Sequence, residues 1–200
     1  MRIRPSAVVV FAAAILLSSA ARATAAPTLI VVGGELLGAQ NVNVGGTLYD
    51  VTFVDTTCVL AFSGCDSSSD FDFDSTSAFV AGAALRDQVF GSGDSFDMNP
   101  ELTFGCSTTT ECQIWIPHTV PSAGDFLAAV THNFEDALGD TVGSGSSPAS
   151  WTFGTVSHQV LADFTPTAVP EPTSLLLFGT GAAALAAKVT WRKKQQQQVR

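Results

Sequence analysis

Basic side chains are almost missing from the middle of this 200-residue chain. Arg2, Arg4 and Arg22 lie near its start and Lys188, Arg192, Lys193, Lys194 and Arg200 near its end, which leaves Arg86 alone within residues 24–169. That stretch holds seventeen of the eighteen acids (all but Glu171) against the one arginine, a balance of −16. A surface of this sign repels phosphate, so nucleic acid and anionic lipid headgroups are excluded as partners of the central region.

Catalytic signatures are equally scarce. No Gly-x-Ser-x-Gly elbow and no His-Glu-x-x-His helix is present. A secreted hydrolase could draw a general base from His118, His132 or His158, but three isolated histidines are more often packing or surface residues. The chain is therefore expected to be no enzyme, and nothing in it calls for a cofactor. Internal repeats are absent too, and Gln195–Gln198 is the single low-complexity segment.

What the chain does have is concentrated first at its ends. Residues 1–23 have the order of a secretory signal: Arg2 and Arg4, an eleven-residue apolar stretch from Ala7 to Leu17, then Ala21-Arg22-Ala23 as a small-x-small cleavage site. Ala23-Thr24-Ala25 is an equally permitted cut. Eleven apolar residues fall short of the roughly 17 to 25 that a spanning helix needs, so a cleaved signal is preferred over an anchor.

Four cysteines suit that export route. Cys58, Cys65, Cys106 and Cys112 form an even set in a chain bound for an oxidising compartment, which favours disulfides in any of three pairings. Local pairing would contribute about 2.5 kcal/mol per bridge by loop entropy. The spacings are wider than zinc sites usually show, which argues against a metal there.

Residues 28–165 have the length of one domain. Thr28 to Val32 is a short apolar strand, and "ELLGAQNVNVGGTLYDVTFV" predicts a hairpin turning at Gly45-Gly46. Phe71 and Phe73 alternate with aspartates as in a half-buried strand. A helix is then expected from about residue 76 to 90, with Phe79, Ala83, Leu85, Val89 and Phe90 on its apolar face and Ser75 or Ser77 as its N-cap. "CQIWIPHTV" and "FLAAVTHNF" suggest strands, the second with a helical alternative; "GDTVGSGSSPAS" has loop composition, and Trp151–Phe153 and Val160–Phe164 close the domain as strands. Strands around one helix without βαβ alternation predict an α+β fold, mainly an antiparallel sheet with one packed helix.

Asp66, Asp70, Asp72 and Asp74 crowd nine residues and are weak candidates for a calcium site. The stretch from Asp70 lacks the helix-loop-helix pattern, because Ser75 stands where its glycine belongs and Ala81 where its glutamate belongs. Alternating Asp and Phe is more simply a strand with one wet face.

The C-terminal end supplies the most specific signal. In Val169-Pro170-Glu171-Pro172 each proline keeps the residue before it out of the helical region, so the motif stays extended where an enzyme can grip it. Residues 166–173 form a proline-rich linker, 174–191 a predicted transmembrane helix and 192–200 a basic tail. Residues 175–191 would span about 25 Å, near the lower limit for a bilayer, and Arg192, Lys193 and Lys194 would hold the tail in the cytoplasm.

This order of Pro-Glu-Pro, apolar helix and basic cluster resembles the PEP-CTERM sorting signal of exopolysaccharide-producing Gram-negative and related bacteria. The departures are Lys188 near the end of the span and the glutamine tail. The resemblance implies processing by an exosortase, a membrane-embedded protease or transpeptidase, after signal peptidase has acted at the other end. It further implies an exported protein, held at the inner membrane with its domain outside the cytoplasm and later placed at the cell surface or in the matrix. The expected role is that of a non-catalytic surface or exopolysaccharide-associated protein. A secreted calcium- or carbohydrate-binding module is the alternative, and a hydrolase the third.

Overall fold

The computed structural model describes residues 26–91, 93, 95–122, 124–135 and 139–167. The expected signal peptide, sorting motif, membrane helix and basic tail lie outside the described residues. The folded unit ends at Pro166.

Seven strands form one sheet: β1 (Thr28–Val32), β2 (Glu35–Val44), β3 (Thr47–Val54), β4 (Glu111–Ser122), β5 (Asp125–Phe134), β6 (Thr141–Pro148) and β7 (Gln159–Pro166). Their spatial order is β1-β2-β3-β7-β4-β5-β6, so the last strand inserts at the centre. Every pair is antiparallel except β4 with β7, which run parallel over only Gln113–Trp115 and Gln159–Leu161. The fold is α+β, as the sequence predicts. The β2–β3 hairpin turns where expected, because Gly45 and Gly46 both adopt positive φ (59° and 97°) and Asn43 Oδ1 accepts the Gly46 N–H at 2.8 Å.

Side-chain alternation loads both faces of the sheet. Val51, Phe53, Ile114, Ile116, Val160, Ala162 and Phe164 point to one buried cluster. Trp115, Phe126, Val130 and Leu161 point to another. The first face is covered by helix α2 (Ser75–Leu85), and the second by the short helix α1 (Cys58–Ala61) with the turn around Phe153.

Helix α2 corrects three expectations. It ends at Leu85, after which Arg86–Phe90 continue as one π-helical turn. That turn is pinned to the hairpin by Gln88, whose amide accepts the Asn43 N–H and donates to the Asn43 carbonyl, both at 2.9 Å. Its N-cap is Asp74, while Ser77 supplies the reciprocal bond of the capping box. Its buried side is Ala78, Ala81, Gly82, Ala84 and Leu85, with Phe79 turned outward and Ala83 partly covered. Small residues win the buried side because the helix backbone sits close on the sheet, with Thr131 Oγ1 donating to the Gly82 carbonyl at 3.1 Å.

The Asp70–Asp74 stretch is not a strand. Ser68–Asp70 form a 3-10 turn, and the following residues pair with no neighbour in the sheet. The alternation has another cause: Phe71 enters the cluster on one face, packed on Phe62, and Phe73 the cluster on the other, packed on Phe164 and Tyr49. This segment crosses the sheet where β4 and β7 diverge, with the Val120 N–H donating to Ser68 Oγ at 3.0 Å.

Two further corrections concern the end of the domain. "GDTVGSGSSPAS" contains β6, an edge strand paired to β5 from His132↔Thr141 to Asp125↔Pro148. Trp151–Phe153 give only an isolated bridge, Thr57↔Thr152, and a 3-10 turn over Phe153–Thr155. "FLAAVTHNF" is strand throughout, within β5.

Candidate functional site

Each face of the sheet carries one disulfide. Cys58–Cys65 closes the α1 loop in the second cluster, and Cys106–Cys112 ties the approach to β4 into the first. Of the three possible pairings the chain uses the local one, and no free cysteine remains among the described residues.

Two shallow clefts of about 400 Å³ each flank the N-terminal half of α2. One is lined by Ser75, Phe79, His118, Leu127, Ser144 and Ser146. His118 is 6 % exposed, its Nδ1 engages Thr119 Oγ1 at 2.7 Å, and its ring lies 6.4 Å from that of Phe79. Burial pushes the imidazole below its usual range, and nearby Asp74 partly opposes this. The other cleft lies between Tyr49, Phe73, Asp72 and Val80.

The histidines are not gathered into one catalytic group. His132 Nδ1 meets Glu111 Oε1 at 2.5 Å on the opposite face from His118, with Gln113 donating to the same oxygen at 3.1 Å and Gln159 to Gln113 at 3.0 Å. His158 forms an isolated bridge with Cys106.

Three of the four clustered aspartates likewise have separate surroundings. Asp70 Oδ2 accepts the N–H groups of Asp66 and Ser67, both at 3.1 Å. Asp74 accepts the Ser77 N–H at 2.8 Å, and the Ser77 hydroxyl and amide hold its carboxyl below the usual range. Asp72 is raised by burial and by Asp163, itself raised by burial. Among the described residues, no three His, Cys, Asp or Glu side chains converge as a metal site.

A set of residues with no sequence signal stands out instead at the far end of α2. Asp140 Oδ1 accepts the Phe134 N–H at 3.0 Å, while its Oδ2 is buried without a hydrogen-bond partner. Burial pushes this carboxyl up to about 6, with the Asp97 charge adding and Arg86 opposing. Asn133, fully buried, donates from Nδ2 to the Phe96 carbonyl at 2.9 Å and leaves Oδ1 unpartnered.

Residues 168–194 match the family of the PEP-CTERM protein-sorting motif. The chain thus carries a sorting motif of the kind that marks exported, exosortase-processed proteins. The match contains Val169-Pro170-Glu171-Pro172 and the basic residues Arg192, Lys193 and Lys194, and it lies wholly outside the folded unit. No curated protein and no solved structure matches the chain.

Proposed function

We propose that the folded unit is a non-catalytic cell-surface or matrix protein, associated with exopolysaccharide and delivered there as the cargo of the sorting signal. Signal peptidase releases the N-terminus at Ala23 or Ala25, the apolar helix holds the precursor in the inner membrane with residues 192–200 inside, and the exosortase then trims the tail. The observation that carries this reading is the match at residues 168–194. The acidic surface, with one cation in residues 24–169, and a disulfide on each sheet face suit a domain working outside the cytoplasm.

The test is to replace Pro170, Glu171 and Pro172 together by alanine in the host. The expected result is a full-length, membrane-held variant beside a trimmed parent; equal trimming would defeat the reading. Intact mass of the mature parent locates both cuts.

A carbohydrate-binding role for the same unit is favoured by the cleft at Phe79. That ring is 37 % exposed beside the Ser75, Ser144 and Ser146 side chains, an aromatic platform with polar groups at its rim. Affinity electrophoresis on the host's own exopolysaccharide would show retardation of the parent and its loss in Phe79→Ala.

A further inference from the structure

The side-chain oxygens of Asn133 and Asp140, near Asp97, present a problem of hydrogen-bond balance. Asn133 is the most constrained of the three. It is 0 % exposed at the end of β5 on the α2 side of the sheet, and its Nδ2 donates to the Phe96 carbonyl at 2.9 Å. That bond fixes the orientation of the amide and leaves Oδ1 as a buried acceptor with no donor. The next backbone N–H, from Phe134, is taken by Asp140 Oδ1 at 3.0 Å, which brings the Asp140 carboxylate to the residue that follows Asn133. Its second oxygen is also buried and also has no donor.

The residue after Phe96 is Asp97, whose charge is near enough to act on Asp140. One Asp97 oxygen accepts the Gly93 N–H at 3.0 Å. The loop that follows the π turn, the end of β5 and the residue before β6 thus supply two carboxylates and an amide oxygen at this end of the sheet. Buried acceptors without donors are costly, and a like-charged pair adds to that. The nearby cation is Arg86, whose guanidinium is held by Asp87 at 2.7 Å.

We propose that Asp97, Asn133 and Asp140 bind a divalent cation of the calcium type. Calcium takes carboxylate and amide oxygens from flexible loops, fills its remaining positions with water, and binds extracellular modules with dissociation constants of roughly 10⁻⁴–10⁻³ M. The cation supplies the positive charge that both unpartnered oxygens lack. It also ties the loop of Asp97 to Asn133 and Asp140, residues remote from it in sequence. The site is separate from the aspartates of residues 66–74 and independent of the sorting signal.

The test uses the mature protein purified from its host, freed of metal with EDTA, and equilibrium dialysis against radioactive calcium. One calcium per chain is expected, with a melting midpoint that rises by several degrees in millimolar calcium chloride and not in sodium chloride of equal ionic strength. Asp140→Asn keeps the acceptor for Phe134 N–H and removes a ligand charge, so it should fold in EDTA and bind calcium at least about tenfold more weakly. No bound calcium at 10 mM, an equal rise in sodium chloride, or undiminished binding by a folded Asp140→Asn variant would each overturn the proposal.

Discussion

The indole of Trp115 on β4 reaches across β5 and lies over Gly145 on β6. A Cβ at Gly145 would stand 2.5 Å from Cη2 and Cζ3 of that ring and 3.0 Å from Val130. Trp115 is itself wedged edge-on against Phe153 at 5.6 Å and Phe126 at 6.2 Å, so it has nowhere to retreat. Gly145→Val should cost about 2 kcal/mol or more by overpacking, lowering the melting midpoint by roughly 5–10 °C. Ser144→Val, one residue away on the exposed side of the same strand, should stay within about 0.5 kcal/mol of the parent. Thermal melts of the two variants check the contrast, and similar midpoints would contradict it.

The same contact explains why β6 was illegible in the sequence. "TVGSGSSP" has the composition of a loop, yet it pairs with β5 along its length, and the glycine at 145 leaves room for a tryptophan thirty residues earlier. The β2–β3 hairpin, by contrast, was fully legible, because alternation and a Gly-Gly turn are local signals. The Phe71/Phe73 alternation does not distinguish a strand from a crossing: a segment passing between two faces and a strand with one wet face produce the same pattern. The sorting motif is legible because its residues are contiguous in the chain, so no fold is needed to bring them together. The Asp97, Asn133 and Asp140 set could not, since only the fold brings those loops together.

His118 makes acid stability depend on the cleft beside α2. Its folded pKa is lowered by burial, with Asp74 partly offsetting, so the neutral ring is the form that the fold favours. The unfolded chain then binds the proton more readily near pH 6.5 and just below. The resulting stability is present above 6.5 and is lost as pH falls through the folded value. His118→Gln cannot titrate there. Melting midpoints of parent and variant measured from pH 7.5 to 5.5 should converge as the parent loses its advantage, whereas parallel curves would show that His118 does not set this slope.

Asp72 and Asp163 give a dependence of opposite sign. Burial raises both carboxyls, and Asp163 raises Asp72 further, where the crossing segment meets β7. A raised folded pKa means that the protonated form is favoured. The stabilising contribution is complete below the unfolded value of 3.8 and disappears as pH rises through the folded one. Ionised Asp163 is therefore a cost at pH 7, and Asp163→Asn, which keeps an acceptor for the Phe164 N–H, should melt slightly higher than the parent at neutral pH, by a margin that solvent screening keeps small. The gap should close on acidification toward pH 4, and a variant less stable at neutral pH would contradict this account.

The two disulfides should act additively, because they lie in different clusters on opposite faces of the sheet. Each closes a short loop, with sequence separations of 7 and 6, for which loop entropy gives about 2.5 kcal/mol. Replacing Cys58 and Cys65 together by serine should lower stability by about that amount, and the same should hold for Cys106 and Cys112. Removing both pairs should cost about twice as much, near the whole stability of an ordinary domain. Denaturant melts of the oxidised parent, the two double variants and the fourfold variant check this. If the fourfold loss equalled either double loss, the bridges would be stabilising one shared element, and the separation of the two faces would not hold energetically.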